Sequence, residues 1–514
     1  MPLKLPIVIS YLILTYLSKA SAITYRSTEI PDRGYKAFAR EFSINPTMVN
    51  EADSVMSGND PCASIIVFNL FSELIVYFFC ITTQILCQVW NVCGTANFKA
   101  RSANNSKFRT VFQWKLLDFD YENEADKQKD IREEVFIPGN AAPIDTDVYY
   151  GRKNKYIFIT IPRFQPGIPA TLGTVTVSKT TGDPVIRPYP SWKWHRYPKK
   201  CRQDRIVSTY RVKVDTCGRL WVLDTGRLSE DQVCPMQILA FDLESNKLVH
   251  RGIIPQSLLK PTSILVTPIV EILNGNCQDT FVYIADTVAF TLIIHDVKNG
   301  AFWKASDKTM YPYPNYSSFG ILGDTFDLVD GILGMDIGPI ISREQRKLFF
   351  HALSSVTENW VLTSSLRNRS LFGEYPWVHP NIFHVYNGTR RSQSAAQAIE
   401  KDGVSFFGDL TELTINCWNT ATDFGPENID VVEYNPETLQ FPSGIKVINN
   451  PIDGSQELWI LTSKLQKVIA GTLKSPETNF RIMTIKVDDA LSDTKCKKRS
   501  SKSNLGYTAS FYRG

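Results

Sequence analysis

The segment that decides the fold is residues 206–255, where four strand-like stretches follow one another: IVSTYRVKVD (206–215), RLWVLDTG (219–226), MQILAFDL (236–243) and KLVHRGIIP (247–255). β-Branched, aromatic and other apolar residues dominate each stretch, as is typical of strands. Two short connections, TCG and ESN, and a longer one, RLSEDQVCP, separate the four. The pattern therefore predicts one antiparallel sheet of four strands.

The first two strands of this unit, with the tight turn between them, recur along the chain at spacings of about 40–70 residues, which is typical of a β-propeller. The repeats are DTDVYYGRKNKYIFITIPR (145–163), TYRVKVDTCGRLWVLDTG (209–226), TPIVEILNGNCQDTFVYIADT (267–287), GMDIGPIISREQRKLFFHALSS (334–355), AQAIEKDGVSFFGDLTE (396–412) and GIKVINNPIDGSQELWILTSK (444–464). A β-sandwich would also give many short strands, but it would not repeat this signature in register. We predict an all-β, six-bladed β-propeller.

The ends of the repeat array indicate how the ring closes. The last unit ends with NFRIMTIKVDD (479–489) and is one strand short, whereas FRTVFQWKLLDF (108–119) precedes the first full unit. We expect this amino-terminal strand to complete the last blade and so hide its sheet edge. The predicted propeller spans residues 107–496, and a polar, disordered tail of residues 497–514 follows it.

Composition excludes several classes of protein. The chain has 514 residues, of which 43% are hydrophobic and 21% charged, with a net charge of +4. That balance argues against disorder, and the small dispersed charge argues against a nucleic-acid partner.

The amino terminus predicts secretion. Residues 1–22 combine Lys4, an apolar run and an A-x-A-like end at Ala22, which is the pattern of a secretory signal peptide. N-x-[ST] sequons, the acceptors for glycosylation in the secretory pathway, lie at Asn104, Asn315, Asn368 and Asn387. We expect an extracellular glycoprotein.

Residues 23–106 form an atypical extension that contains the apolar segment 63–92. This segment is long enough to span a bilayer, but a membrane stop there would leave the sequons in the cytosol. Three interpretations stay open: a buried or interfacial segment, a start at Met48 or Met56 with the apolar run as the signal, or a translated non-coding stretch. The last two are favoured together.

Six cysteines of the repeat region can be paired from the predicted topology. Cys217 and Cys277 lie in equivalent first-to-second strand turns of consecutive blades, whereas Cys201 and Cys234 lie on the opposite face. We predict the disulfides Cys201–Cys234 and Cys217–Cys277, with Cys417 bound to Cys496 at the carboxyl end. The alternative, a zinc site, lacks the usual C-x2-C spacing among these residues.

A series of segments occurs in order across about residues 108–496: VFQWKLLDFDY, ITIPRFQPGIPATLGTV, YPSWKWH, DTCGRLWVLDTG, CPMQILAFDL, DGILGMDIGP, QSAAQAIEKDGVSFFGDL, ETLQFPSGIKV and ELWILTSKLQK. With these segments, the chain resembles the insect Yellow and major royal jelly protein family. The resemblance implies a secreted six-bladed propeller. For a Yellow-like member it implies a role in melanin and cuticle pigmentation, with dopachrome conversion by isomerisation or decarboxylation as a candidate activity. Other family members are nutritive, or bind biogenic amines, and fold alone does not choose among these functions.

Propeller ligand sites lie at the mouth of the central channel, where first strands begin and second strands end. Carboxylates and aromatic rings there would suit a catechol-derived ligand or an aromatic amine. The candidate catalytic bases are Asp224, Asp286 and Asp330. The candidate ligand-binding residues are Arg163, Phe164, Thr225, Thr287, Ser354, Gln393, Ser394, Phe407, Asp409 and Ser463. The competing interpretation for each aspartate is a turn residue that accepts backbone N–H groups.

No motif of a familiar hydrolytic or redox mechanism is present: G-x-S-x-G, H-E-x-x-H and G-x-G-x-x-G are all missing from the sequence. The six histidines show no pairing expected of a metal site, so we predict neither a metal nor a cofactor. A partly desolvated carboxylate would suffice for proton abstraction from dopachrome. The alternatives are a non-catalytic amine binder, a cuticle-associated structural factor, or a calcium-dependent propeller lactonase with acidic and amide ligands converging on one ion.

Overall fold

The structure, a computed structural model, describes residues 106–497 apart from 153, 197–200, 203, 343–344 and 374–379. The expected signal peptide, the segment 63–92, Asn104 and the tail beyond residue 497 lie outside the described residues. The other three sequon asparagines, Asn315, Asn368 and Asn387, are exposed.

Six four-stranded antiparallel sheets make up the described fold. In order from first to last strand along the chain, the first three blades are β2 (Asp145–Tyr150), β3 (Lys155–Thr160), β4 (Leu172–Val177), β5 (Pro184–Pro188); β6 (Thr209–Val214), β7 (Arg219–Asp224), β10 (Gln237–Asp242), β11 (Lys247–Ile253); and β12 (Leu265–Ile272), β13 (Thr280–Asp286), β14 (Thr291–Asp296), β15 (Ala301–Ala305).

The remaining blades follow the same order. They are β18 (Ile332–Ile337), β19 (Lys347–Ala352), β20 (Asn359–Leu362), β21 (Phe383–Val385); β22 (Gln397–Ile399), β23 (Val404–Asp409), β24 (Thr414–Asn419), β25 (Ile429–Tyr434); and β26 (Pro442–Asn449), β27 (Gln456–Thr462), β28 (Phe480–Lys486) with β1 (Arg109–Trp114). The all-β, six-bladed prediction is confirmed, and β1 pairs antiparallel with β28 as the outer strand of the sixth sheet.

Small elements join the blades. They are the hairpins β8 (Arg227–Leu228) with β9 (Asp231–Gln232) and β16 (Ser318–Ile321) with β17 (Asp324–Asp327); the helices α1 (Glu124–Arg132), α2 (Thr363–Arg367), α3 (Leu465–Ile469) and α4 (Val487–Leu491); and the 3-10 turns Trp192–Trp194, Gln256–Leu258, Lys308–Met310, Pro314–Tyr316, Arg369–Leu371 and Pro380–Ile382.

The hydrophobic core lies between neighbouring blades. One apolar cluster joins the second and third blades through Trp221 and Ile284, and another joins the sixth and first through Trp459 and Ile159. Burial of such faces, at about 25 cal/mol per Å² of apolar surface, is the main force that holds blades together. The first strand of every blade contacts the first strands of both neighbours, so β2, β6, β12, β18, β22 and β26 surround a central channel.

One pair of histidines departs from the sequence interpretation. Nε2 of His250 and Nε2 of His295 are 2.9 Å apart, between the second and third blades. Nδ1 of His295 meets the carbonyl oxygen of Ala301 at 3.1 Å, and its ring stacks on Phe302 with centroids 3.8 Å apart. The pairing escapes sequence analysis because its members are far apart in the chain, and its surroundings are those of a packed core contact.

The structure pairs the cysteines as Cys201–Cys234, Cys217–Cys277 and Cys417–Cys496, the same pairs that the topology predicts. Cys217–Cys277 joins turns of the second and third blades. Cys417–Cys496 joins β24 to the segment after α4, across a sequence separation of 79.

Replacing both Cys417 and Cys496 with alanine is expected to lower the free energy of unfolding by about 2–4 kcal/mol, because the cross-link restricts a long loop in the unfolded chain. Denaturant unfolding of the non-reduced double variant and the parent measures this difference. An unchanged transition midpoint would contradict a stabilising role for this bridge.

Candidate functional site

A cavity of about 410 Å³ occupies the end of the channel at which the first strands begin. Its volume falls in the usual range for small-molecule sites. Apolar side chains form most of its wall: Ala142, Ile144, Phe164, Ile264, Val266, Leu328, Leu333, Leu353, Ala395, Phe441, Leu465, Val468 and Ile469. The polar lining residues are Asn140, Gln165, Tyr210, Arg211, Thr287, Asp330 and Ser443.

β-Bulges at the beginnings of the first strands shape this cavity. Regular pairing breaks between Thr209 and Val212 in the second blade. Because side chains alternate along a regular strand, neighbours such as Tyr210 and Arg211 would point to opposite faces, but a bulge allows both to line the same cavity. Similar breaks occur around Val266, Leu333 and Ser443, each of which also lines the cavity.

Arg211 forms the floor. One terminal nitrogen of its guanidinium donates to Thr267 Oγ1 at 2.8 Å and to the carbonyl oxygen of Leu333 at 2.7 Å. The other donates to the carbonyl oxygens of Ala395 and Ser443, both at 2.8 Å. The acceptors belong to four different blades, so this one buried side chain ties five blades together across the channel.

Below Arg211, a layer of ion pairs fills the channel. Nζ of Lys446 is 2.8 Å from each carboxylate oxygen of Asp145, and Nζ of Lys213 is 3.7 Å from Asp336. The remaining gap is about 10 Å³, room for about one water molecule. The cavity is therefore closed at its inner end.

Asp330 is the acidic residue of the cavity. It precedes β18 and is half-buried, and within the described part of the chain no donor side chain or backbone N–H hydrogen-bonds its carboxylate. Burial in these apolar surroundings raises the pKa of Asp330 to about 6. A carboxyl group with such a pKa is a suitable general base near neutral pH.

Three further residues add polar and aromatic character to the wall. The ring of Tyr210 packs edge-on against Phe164 with centroids 5.2 Å apart. Burial first, and then the negative charge of Asp330, raise the pKa of Tyr210, so its phenol stays protonated. Thr287 is buried, and its Oγ1 has no hydrogen-bond partner among the described residues. Of the predicted site residues, the cavity thus brings together Phe164, Thr287 and Asp330.

Asp224 and Asp286, the other two predicted bases, do not line the cavity. Asp224 is buried and accepts the backbone N–H groups of Val207, Ser208 and Gly226. Asp286 is likewise buried and accepts from Ile264 and Ala289. Both follow the turn interpretation, in which a carboxylate at a strand end satisfies local backbone donors.

Most predicted ligand-binding residues make structural contacts outside the cavity. The guanidinium of Arg163 donates to carbonyl oxygens of Ile168, Val207, Pro169 and His195. Three hydroxyl groups donate to backbone carbonyl oxygens: Thr225 to Ser208, Ser354 to Leu328, and Ser394 to Ala396. The side-chain amide of Gln393 donates to the carbonyl oxygens of Tyr316 and Ser318. Ser463 Oγ lies 3.4 Å from Ser443 Oγ.

Phe407 and Asp409 also lie outside the cavity lining. Phe407 belongs to a packed aromatic cluster with Trp418 and Phe424. Asp409 accepts from Asn416 at 2.9 Å, and burial raises its pKa to about 7. Sequence reasoning did not predict the cavity residues Tyr210, Arg211 and Phe441. The sequence features nearest to such residues are Pro268, Gly334 and Gly444, which accompany the β-bulges.

Within the described ranges, no group of three or more His, Cys, Asp or Glu side chains is arranged to hold a metal ion. None of the helices described there is long and apolar enough to cross a membrane.

Comparison with known proteins identifies the family. Residues 207–496 match the family described as major royal jelly protein. This chain belongs to that family. Major royal jelly protein 9 of Apis mellifera is 32% identical over 84% of this chain and 97% of its own length. A dopaminechrome tautomerase of Drosophila melanogaster is 29% identical over 80% and 89% respectively, and Protein yellow of Drosophila madeirensis is 30% identical over 77% and 68%.

The major royal jelly protein match includes most of the cavity. It begins just before β6 and contains Tyr210, Arg211, Thr287 and Asp330. Phe164 precedes the residues of this family match. The pairwise similarity to major royal jelly protein 9 extends over more of the chain, 84% of its residues.

Proposed function

We propose that the cavity binds a catechol-derived aminochrome and catalyses its tautomerisation, with Asp330 as the general base. The observation that carries the proposal is a carboxylate in an apolar cavity that has no hydrogen-bond donor among the described residues and whose pKa is raised to about 6. A relative whose name is dopaminechrome tautomerase supports this reaction class. The aromatic pair Phe164 and Tyr210 provides a surface for a flat ring.

The chemistry needs no oxidant. Asp330 takes a carbon-bound proton from the saturated part of the five-membered ring, and the electron pair moves through the ring system to a quinonoid oxygen. Protonation of that oxygen gives a quinone-methide tautomer. Loss of a second carbon-bound proton from the five-membered ring and protonation of the second quinonoid oxygen then give the isomeric dihydroxyindole, with no net change in protons or electrons. The hydroxyl groups of Thr287 and Tyr210 are the candidate donors to the oxygen on which negative charge develops.

The biological setting that we propose is extracellular pigmentation. The predicted signal peptide, the three disulfides and the relatives named Protein yellow support this setting, since disulfides persist chiefly in oxidising compartments. Glycosylation at the sequons and association with cuticle belong to the same proposal.

The test is to incubate the purified protein with dopaminechrome and to follow loss of its visible absorbance. Because Asp330 must be ionised to act as a base, kcat/KM is expected to rise as the pH increases through about 6, and to level off above it. Below this pKa, kcat/KM is expected to fall about tenfold for each unit by which the pH decreases. A kcat/KM that stays constant from pH 4.5 to 8, after correction for the uncatalysed reaction, would contradict the assignment.

A non-catalytic amine binder is the second candidate, because the same carboxylate can pair with an ammonium group above an aromatic surface. It predicts saturable binding of dopamine or serotonin with no acceleration of dopaminechrome loss. Calorimetric binding and turnover measured on one preparation separate the two functions.

A further inference from the structure

The cavity is asymmetric in charge. Among the described residues that line it, only Arg211 and Asp330 are charged. Asp330 has a carboxylate that no described donor occupies, whereas Arg211 is engaged in hydrogen bonds to the protein. A ligand therefore meets one available charge, which is negative.

Arg211 is not free to bind a ligand carboxylate in the usual two-bonded manner. Both of its terminal nitrogens already donate to oxygens at 2.7–2.8 Å, three of which are backbone carbonyls. Turning either nitrogen toward a ligand would leave buried carbonyl oxygens without donors, and such groups are costly to leave unpaired. Only Nε has no partner in the described structure, and one N–H cannot form the paired contact that carboxylates prefer.

Two other cations near the wall are also occupied. Arg227, whose charge acts on Tyr210, donates to Gln232 Oε1 and to the carbonyl oxygen of Pro261. Lys467 lies on α3 between residues of the lining, but its Nζ is 3.1 Å from Asp324. An anionic ligand group would thus meet Asp330 without a compensating partner.

We infer that the cavity selects catechol and indole derivatives that lack a carboxylate over the corresponding amino-acid derivatives. This inference rests on the proposed function, since it takes the same cavity as the ligand site. A ligand carboxylate several ångströms from Asp330 would be repelled by it. At an effective dielectric constant of about 20, this repulsion corresponds to an affinity roughly 30-fold or more higher for the ligand that lacks the carboxylate.

Matched ligand pairs that differ only in the carboxylate test the inference. We expect dopamine and tryptamine to bind at least about 30-fold more tightly than 3,4-dihydroxyphenylalanine and tryptophan by calorimetry. In the turnover assay, kcat/KM for dopaminechrome should exceed that for dopachrome by a similar factor. Equal or reversed preferences, with binding intact, would overturn the inference and leave the proposed function standing. If no member of any pair binds or reacts, the proposed function itself is overturned, and the inference with it.

A charge variant gives a second measurement. Ile469 lines the cavity and is 44% exposed, so I469K adds a cation at the rim where the side chain can remain solvated. We expect I469K to reduce the preference against the carboxylate ligands at least threefold, whereas I452K, at a residue that is 83% exposed and outside the lining, should leave it unchanged. Thermal unfolding of both variants verifies that they are folded. A preference that I469K does not reduce would contradict the proposed electrostatic origin.

Discussion

Asp330→Asn is expected to lower kcat/KM for dopaminechrome tautomerisation by about 10²–10⁴-fold, the usual contribution of a general base. Asparagine keeps the size and shape of the side chain but cannot accept the proton. Because the carboxylate is half-buried in an apolar wall and has no described protein donor, this substitution breaks no internal hydrogen bond. The measurement is the initial rate of absorbance loss at pH 7, with dopamine binding measured on the same samples.

Asp327→Asn is the matched control. Asp327 ends β17, three residues before Asp330, and it is exposed and outside the cavity lining. We expect this variant to keep the parent's kcat/KM within about twofold, as for a surface substitution. If Asp330→Asn turns over dopaminechrome at the rate of the parent, another group is the base and our assignment is wrong.

Arg211→Met is expected to lower the free energy of unfolding by about 3–6 kcal/mol. Methionine preserves much of the length and apolar stem of arginine, but it removes the donors for the carbonyl oxygens of Ala395 and Ser443 and weakens the contact with Leu333. Each buried acceptor without a partner costs about 1–3 kcal/mol. Denaturant unfolding monitored by tryptophan fluorescence measures the difference.

Arg187→Met provides the comparison for charge removal at the surface. Arg187 pairs with Asp120 at 2.8 Å, but its side chain is 60% exposed, so its loss should cost under about 1 kcal/mol. If the two arginine variants destabilise the protein equally, Arg211 does not hold the blades together in the way its contacts indicate.

The propeller itself could be predicted because its signal is local and repeated. Alternating strands such as those at 209–226 and 444–464 give the same pattern in every blade, and a blade must bury both faces against its neighbours. The disulfides could be predicted for a related reason, since equivalent turns of neighbouring blades, such as those holding Cys217 and Cys277, lie on the same face.

The cavity could be predicted only in part, because the difference between its aspartates is not local. Asp224 and Asp286 end second strands, where neighbouring N–H groups are available to a carboxylate. Asp330 instead precedes a first strand, beside apolar residues contributed by other blades. Which carboxylate keeps its oxygens available depends on those distant neighbours.

Tyr210 and Arg211 escaped prediction because strand alternation assigns adjacent residues to opposite faces. The bulge between Thr209 and Val212 removes that constraint. The oxygens that accept hydrogen bonds from Arg211, such as those of Leu333 and Ser443, lie in segments far away in sequence. Glycine at 334 is required by close approach, since a Cβ there would lie 2.2 Å from His351 Nε2, but sequence alone does not connect this glycine to a cavity.

Under the proposed function, the floor formed by Arg211 constrains the order in which a reactant binds and its isomer leaves. With the channel filled behind it, a reactant and its isomer must pass through the same opening, and the isomer must depart before another reactant can enter. If the protein is the tautomerase that we propose, the accumulated dihydroxyindole is expected to compete with the aminochrome for the free protein, and removal of this indole by later oxidation and polymerisation would keep the entrance clear.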